Sequence, residues 1–322
     1  MRSIVMATVL AVFLMVGCRG TGNDFQSAFH PASVEAREMA GLGWMMVAVY
    51  GSVFFGTMGL VVLALVNRRS NGEAPGGSDR FVLVAGMVVP TVILVGMLVV
   101  SLRVSAAMRA PETAFRIEVT GNFWWWEVRY PDHGIVTANE IRIPVGVPVR
   151  LELKSRDVIH SFWVPNLHGK MDMLPDQMNQ FWLRADREGV YRGTCAEFCG
   201  GQHARMGIDV VALSEDGFEQ WVQERTRTRE PGDARGKELF FSTGCAACHA
   251  VGGTQAVSNL GPDLTHMADR LNLAASTLPN TRENLKRWIV DPQSIKPLSL
   301  MPPTEIGPEE LEALLDYLQT LK

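Results

Sequence analysis

The chain has 322 residues, 47% of them hydrophobic and 20% charged, with a formal net charge of −4. That length fits two or three domains, and a charge so near neutral leaves no footprint for nucleic acid. Nearly all long uncharged runs lie before residue 105, which excludes a simple soluble globule. No repeat at solenoid periods occurs, and the five cysteines, Cys18, Cys195, Cys199, Cys245 and Cys248, are too few for a disulfide scaffold.

Residues 1–17 read as a signal peptide. Arg2 supplies the positive end, and the apolar stretch that follows is too short to span a bilayer core of about 30 Å. The run Leu14-Met15-Val16-Gly17-Cys18 resembles the lipobox of bacterial lipoproteins, which implies a lipidated Cys18. An incidental cysteine and an uncleaved anchor are the alternatives. Residues 18–40 form an extracytoplasmic segment. Residues 41–66 and 81–104 read as transmembrane helices, because each holds a charge-free run longer than a spanning helix needs. Pro90 inside the second is tolerated in membrane helices. The loop 67–80 carries an arginine excess, Arg68, Arg69 and Arg80, and is therefore expected to be cytoplasmic. Everything after about residue 105 then faces the periplasm or cell exterior.

From 105 to 224 the pattern becomes short alternating stretches, such as Arg116–Thr120 and Val149–Leu153, separated by turn signals. An antiparallel sandwich or barrel is expected. Within it lies Cys195-Ala-Glu-Phe-Cys199-Gly-Gly-Gln-His203-Ala-Arg-Met206, with His160 thirty-five residues upstream. Thiolates, a thioether and imidazoles together favour copper electron transfer. One copper of the blue type needs a single cysteine; a second cysteine allows two thiolates to bridge two ions, each taking one histidine. A Cys195–Cys199 disulfide is the competing reading. His30, His133 and His168 read as ordinary histidines.

This stretch resembles subunit II of haem–copper cytochrome c oxidases over about residues 35–225. The resemblance implies a cupredoxin-like all-β sandwich with a binuclear CuA centre. In it Cys195 and Cys199 bridge the coppers, His160 and His203 are terminal ligands, Met206 is a weak ligand and Glu197 gives its backbone carbonyl. It also implies a magnesium or manganese ion, reached by the Glu197 side chain, at the contact with subunit I. Trp124, in Gly121-Asn-Phe-Trp124-Trp125-Trp126, corresponds to the family's electron-entry residue. At least one of the three tryptophans must simply pack, since neighbours on a strand face opposite ways. One departure is the lack of an acidic residue in 81–102, where family members often carry a glutamate at a proton entry.

Residues 225–236 read as a polar linker, and 237–322 as a further domain. Cys245-Ala-Ala-Cys248-His249 is an attachment signal for haem c, with His249 the proximal iron ligand. A redox Cys-x-x-Cys is the alternative. A low-spin haem needs a sixth ligand, commonly Met. Met301, in a proline-fixed loop, is favoured over Met267 and His266, which more plausibly begin a helix. The spacing in Pro308–Leu318 predicts a closing helix. This segment resembles the small all-α cytochrome c domain fused to subunit II in caa3-type oxidases.

The combined expectation is a multidomain membrane protein of the bacterial cytoplasmic membrane. It would pass electrons from a soluble cytochrome c or a membrane cytochrome complex through haem c and CuA to subunit I, with subunit III as a further partner. The oxygen-reducing site lies on another subunit. Rivals are a CuA-type nitric oxide reductase subunit and a membrane-anchored copper-delivery protein. Seven histidines are too few for nitrous oxide reductase, and a quinol oxidase subunit would lack the copper ligands.

Overall fold

A computed structural model describes residues 26–71, 79–113, 115–227 and 234–322. The signal peptide and Cys18 lie outside them. Helix α1 is Val34–Asn71. The second apolar run forms α2 (Asp79–Leu83), a π turn (Val84–Val88) and α3 (Val89–Ala107) in succession. Proline has no N–H for the helix ladder and its ring crowds the turn before it, so Pro90 sits directly after the wider π turn. Stretches Val34–Val66 and Asp79–Ala106 are long and apolar enough to cross a membrane, with mean hydropathies of 2.1 and 2.7. The helices extend past the expected limits 41–66 and 81–104 at both ends.

Ten strands follow among the described residues: β1 (Arg116–Asn122), β2 (Trp125–Tyr130), β3 (Ile135–Ala138), β4 (Glu140–Pro144), β5 (Val149–Ser155), β6 (His160–Trp163), β7 (Met171–Met173), β8 (Asn179–Leu183), β9 (Gly189–Cys195) and β10 (Gly207–Leu213). They form two five-stranded sheets, ordered β3-β2-β1-β5-β8 and β4-β10-β9-β6-β7. The apolar members of each alternation, among them Ile117, Val119, Leu151, Leu153, Ile208 and Val210, are wholly buried between the sheets. The sandwich is not purely antiparallel as expected. β1 pairs parallel with β5, and β10 with β4, because the intervening chain crosses between sheets before returning. One crossing is made at Asn139, whose φ of 60° turns the chain from β3 into the other sheet. Its side-chain oxygen accepts the Trp126 N–H at 2.8 Å.

The sandwich is tied to the membrane helix. Ser33 caps α1 by accepting from the Ala36 N–H. Glu35 and Arg37 in the first turn pair with Arg184 and Asp186, just after β8, at 3.1 and 2.7 Å. Helix α4 (Glu215–Thr226) packs Phe218 and Trp221 into the same core. The expected linker therefore starts later than residue 225, since Arg225 still belongs to α4 and pairs with Asp269 at 2.7 Å.

The C-terminal domain contains α5 (Ala234–Ser242), α6 (Arg282–Val290), α7 (Pro292–Ile295) and α8 (Pro308–Thr320). α5 and α8 meet through Phe240 and Tyr317, both wholly buried. It is helical but not purely so: β11 (Asn272–Leu273) and β12 (Leu278–Pro279) make a small hairpin. The helix expected from Thr265 is only a 3-10 turn, Met267–Asp269. The hairpin tip carries Ala274, Ala275 and Ser276 with φ between 52° and 59°, a run that L-residues adopt only when their surroundings impose it.

Those surroundings are the sandwich. Asp209 of β10, 2% exposed, accepts from Asn272 at 2.7 Å and from Ser276 at 2.6 Å across the domain boundary, and pairs with Arg192. The Gly207 N–H donates to the Ala275 carbonyl at 3.0 Å, and Ala275 packs on Trp125 and Ala138. Asp209→Ala removes the acceptor that Asn272 and Ser276 share across the boundary. It should cost about 3 kcal/mol, read as a lower urea midpoint of the detergent-solubilised chain.

Candidate functional site

The loop between β9 and β10 is closed at its base by a hydrogen bond from the Cys195 N–H to the Met206 carbonyl, 3.0 Å, and anchored to β6 by Ala196 N–H to Ser161 O, 2.9 Å. Pairing of Phe162 with Cys195 brings His160 of β6 beside the loop. The sulfurs of Cys195 and Cys199 stand 3.7 Å apart and both are buried. Both cysteines are free, and that separation is far from the ~2.05 Å of a disulfide.

Around this pair the other predicted residues are arranged on two sides. His160 Nδ1 lies 3.8 Å from Cys195 Sγ, and the Glu197 carbonyl 3.2 Å from the same sulfur. His203 Nδ1 lies 3.7 Å and Met206 Sδ 3.8 Å from Cys199 Sγ. Ligand atoms of His160, Cys195 and Cys199 all fall within 4.8 Å of one another, and His203 stands outside that set. The donors therefore fall on two sides of the sulfur pair, His160 by Cys195 and His203 by Cys199.

Sequence reasoning missed Asp157. Its carboxylate is 2.7 Å from His160 Nε2 and also accepts the Phe123 N–H. The imidazole thus gives Nε2–H to Asp157 and turns Nδ1 toward the sulfurs, the usual outer-ligand device. Asp157 precedes His160 by three positions, and an acid before a candidate ligand was the available signal. Gly121 lies under the ring: a Cβ there would sit 2.6 Å from His160 Cδ2. Burial lowers the His160 pKa, but the bonds to Asp157 and Cys195 outweigh it and raise the pKa to about 8. The hydrogen bond with Cys199, opposed by burial and aided by His160, holds the Cys195 thiol well below the usual thiol range. Cys199 faces that charge and is pushed up. The metal-free pair thus keeps one proton, and a cation is what releases it.

The three tryptophans divide. Trp126 is wholly buried beside His160 and Phe162. Trp125 is buried beneath the C-terminal domain's hairpin tip. Trp124 is half-buried and donates its indole N–H to the Cys199 carbonyl at 2.8 Å.

In the C-terminal domain Cys245 and Cys248 flank a 3-10 turn introduced by Gly244 in a left-handed conformation. The His249 ring donates from Nδ1 to the Pro262 carbonyl at 2.7 Å, which leaves Nε2 able to take a metal. Gly261 makes room, since a Cβ there would lie 2.7 Å from His249 Cε1. Pro262 is a second partner that sequence reasoning missed. Met301 and Cys245 both pack, half-buried, on the rim of the second core. Met267 is instead part of that core's interior. His266 is buried, with Nδ1 unpartnered.

A cupredoxin-like sandwich with a Cys/His/Met loop, joined to a Cys-x-x-Cys-His domain, defines a copper-type electron-transfer module fused to a cytochrome module. Known proteins bear this out. Residues 135–213 match the family model of the cytochrome c oxidase subunit II periplasmic domain, and residues 234–322 that of cytochrome c. Cytochrome c oxidase subunit 2 of Bacillus subtilis is 30% identical over 99% of this chain and 97% of its own length. That of Alkalihalophilus pseudofirmus is 42% identical over 64% of this chain; the chain spans 61% of that relative, and 62% of one from Bacillus sp. strain PS3. The solved periplasmic domain of subunit II (CoxB) of Bradyrhizobium japonicum is 30% identical, covering 36% of this chain and 96% of its own, with a TM-score of 0.35. The chain belongs to the cytochrome c oxidase subunit 2 family, in the form that carries a C-terminal cytochrome c domain. Copper and haem c are the cofactors these two domains imply.

A pH-dependent proton release follows from the three buried groups. At pH 7 Cys199 and His160 are protonated and Cys195 is not. Copper uptake by the haem-loaded, copper-free chain should therefore release about two protons from these groups at pH 7 and about one above pH 8. Calorimetry in buffers of different ionisation enthalpy counts them.

Proposed function

We propose that the chain is the electron-entry subunit of a haem–copper oxidase. Its C-terminal domain accepts electrons from a soluble cytochrome c or a membrane cytochrome complex. Its sandwich passes them to subunit I, where oxygen is reduced to water. When bound, haem c and a binuclear copper centre supply the two one-electron relays.

The residues divide this work. Cys195 and Cys199 would hold the copper together with His160 and His203, and the centre would supply a one-electron relay. Met206 and the Glu197 carbonyl are weak ligands. The two buried sulfurs, 3.7 Å apart, would give the metal a soft thiolate environment held rigid by the loop. The observation that carries this reading is the position of His203: 3.7 Å from Cys199, yet outside the compact set of the other three. Asp157 fixes the His160 ring, and the loop closure at Cys195–Met206 keeps the ligand spacing. Trp124 is the entry residue, its indole one hydrogen bond from the backbone of a bridging ligand.

Cys245 and Cys248 would hold the haem covalently, and His249 and Met301 would ligate its iron. Glu197 offers its carboxylate to a magnesium or manganese ion at the subunit I contact. The apolar helices cross the bacterial cytoplasmic membrane and leave both sites on its outer face, with subunit III and lipid as neighbours and a lipid on Cys18.

Two variants of the full-length chain, read by optical and EPR spectra, test the assignment. Wild type should show covalent low-spin haem and one unpaired electron shared over two copper nuclei. Cys199→Ser should abolish the sharing while leaving the haem spectrum intact. Met301→Ala should keep the haem covalently attached but turn it high-spin. A mononuclear copper spectrum in wild type would defeat the proposal.

A further inference from the structure

The two ligand-bearing loops are stitched directly together. Four consecutive residues leading toward Met301 each touch the copper side. The Ile295 carbonyl accepts from Arg205, and the Pro297 carbonyl from Gln202. The Leu298 side chain fills the space above Gly201, where a Cβ would meet it. Between them Lys296 reaches down and donates from Nζ to the Trp124 carbonyl at 2.7 Å, and more distantly to the Ala274 carbonyl at 3.5 Å. Gly201, Gln202 and Arg205 are interleaved with Cys199, His203 and Met206.

Lys296 is unusual among these contacts. It is only 4% exposed, and its acceptors are two carbonyls with no carboxylate in salt-bridge range among the described residues. Burying an ammonium without a counter-charge is costly. Burial lowers its pKa to about 7, with Cys199 opposing and Arg205 assisting that shift. An apolar residue in its place would take this donor from the Trp124 carbonyl. Among the described residues, it holds the backbone of Trp124 from the cytochrome side by a hydrogen bond that no other C-terminal residue makes.

We propose that Lys296 is a positioning residue: its buried ammonium pins the Met301 loop to Trp124, setting the separation across which electrons pass between the domains. This rests on the electron-entry reading above. The attachment of the domain itself does not depend on Lys296. The Asp209 anchor, the Arg225–Asp269 pair and the Leu271 N–H donating to Glu140 at 2.9 Å lie elsewhere on the interface.

The test uses the full-length chain, loaded with haem and copper in detergent, with the haem reduced by a light-driven ruthenium donor. In wild type the haem-to-copper transfer should be a single exponential whose rate does not change when glycerol raises viscosity. In Lys296→Met it should slow about tenfold, the factor that one charge-assisted hydrogen bond carries in a docking equilibrium. It should also become viscosity-dependent, while both cofactor spectra stay unchanged. Lys296→Arg should recover part of the rate. A wild-type rate that falls with viscosity would overturn the proposal even if the variants failed to load, and so would an unchanged rate in Lys296→Met. A mononuclear copper spectrum in wild type would instead defeat the electron-entry reading, and the transfer rate would still report on Lys296.

Discussion

Two buried sulfurs 3.7 Å apart set the terms for the rest of this molecule. They cannot both ionise unless positive charge is placed between and beside them, and they cannot both be left protonated without wasting the imidazoles that face them. The sandwich resolves this by geometry. β6 delivers His160 from one side, and the short turn after Gly200 delivers His203 from the other. The Cys195–Met206 hydrogen bond closes the loop that carries Cys199 and His203 at its base. The same closure puts the Cys199 carbonyl where Trp124 can bond to it, so the cysteine loop and Trp124 are one rigid piece.

The C-terminal domain is built onto that piece. Its hairpin tip is held in three successive left-handed conformations by Asp209, Gly207 and Trp125, all belonging to the sandwich. Its Met301 loop rests on Gly201, Gln202 and Arg205. A fused donor on a flexible tether would gain only effective concentration. A donor seated by polar contacts over the ligand loop gains a fixed approach as well, at the cost of burying Asp209 and Lys296.

Much of this was legible in the sequence, and the reason is locality. Cys195, Cys199, His203 and Met206 fall in one loop, and Cys245, Cys248 and His249 in one turn, so their spacing alone carries the chemistry. The apolar runs around α1 and α3 were legible by length and lack of charge. Three things were not. The parallel pairs β1–β5 and β4–β10 depend on which end a strand enters, and alternation is blind to that. The Pro262 carbonyl is a backbone atom, so no side-chain pattern announces it. Lys296 and Trp124 are 172 positions apart, and an interface between separately folded units leaves no periodic trace in either. Asp157 is the intermediate case: near its histidine in sequence, but one acid among many until the fold sets it at 2.7 Å.

X-ray absorption at the copper edge, on the full-length loaded chain in both oxidation states, tests the central claim most directly. The arrangement of His160 and His203 on opposite sides of a shared pair of sulfurs predicts a copper–copper scattering shell, two sulfurs per copper, and distances that barely move on reduction. A spectrum with no copper–copper shell, or with a single sulfur on each copper, would contradict it.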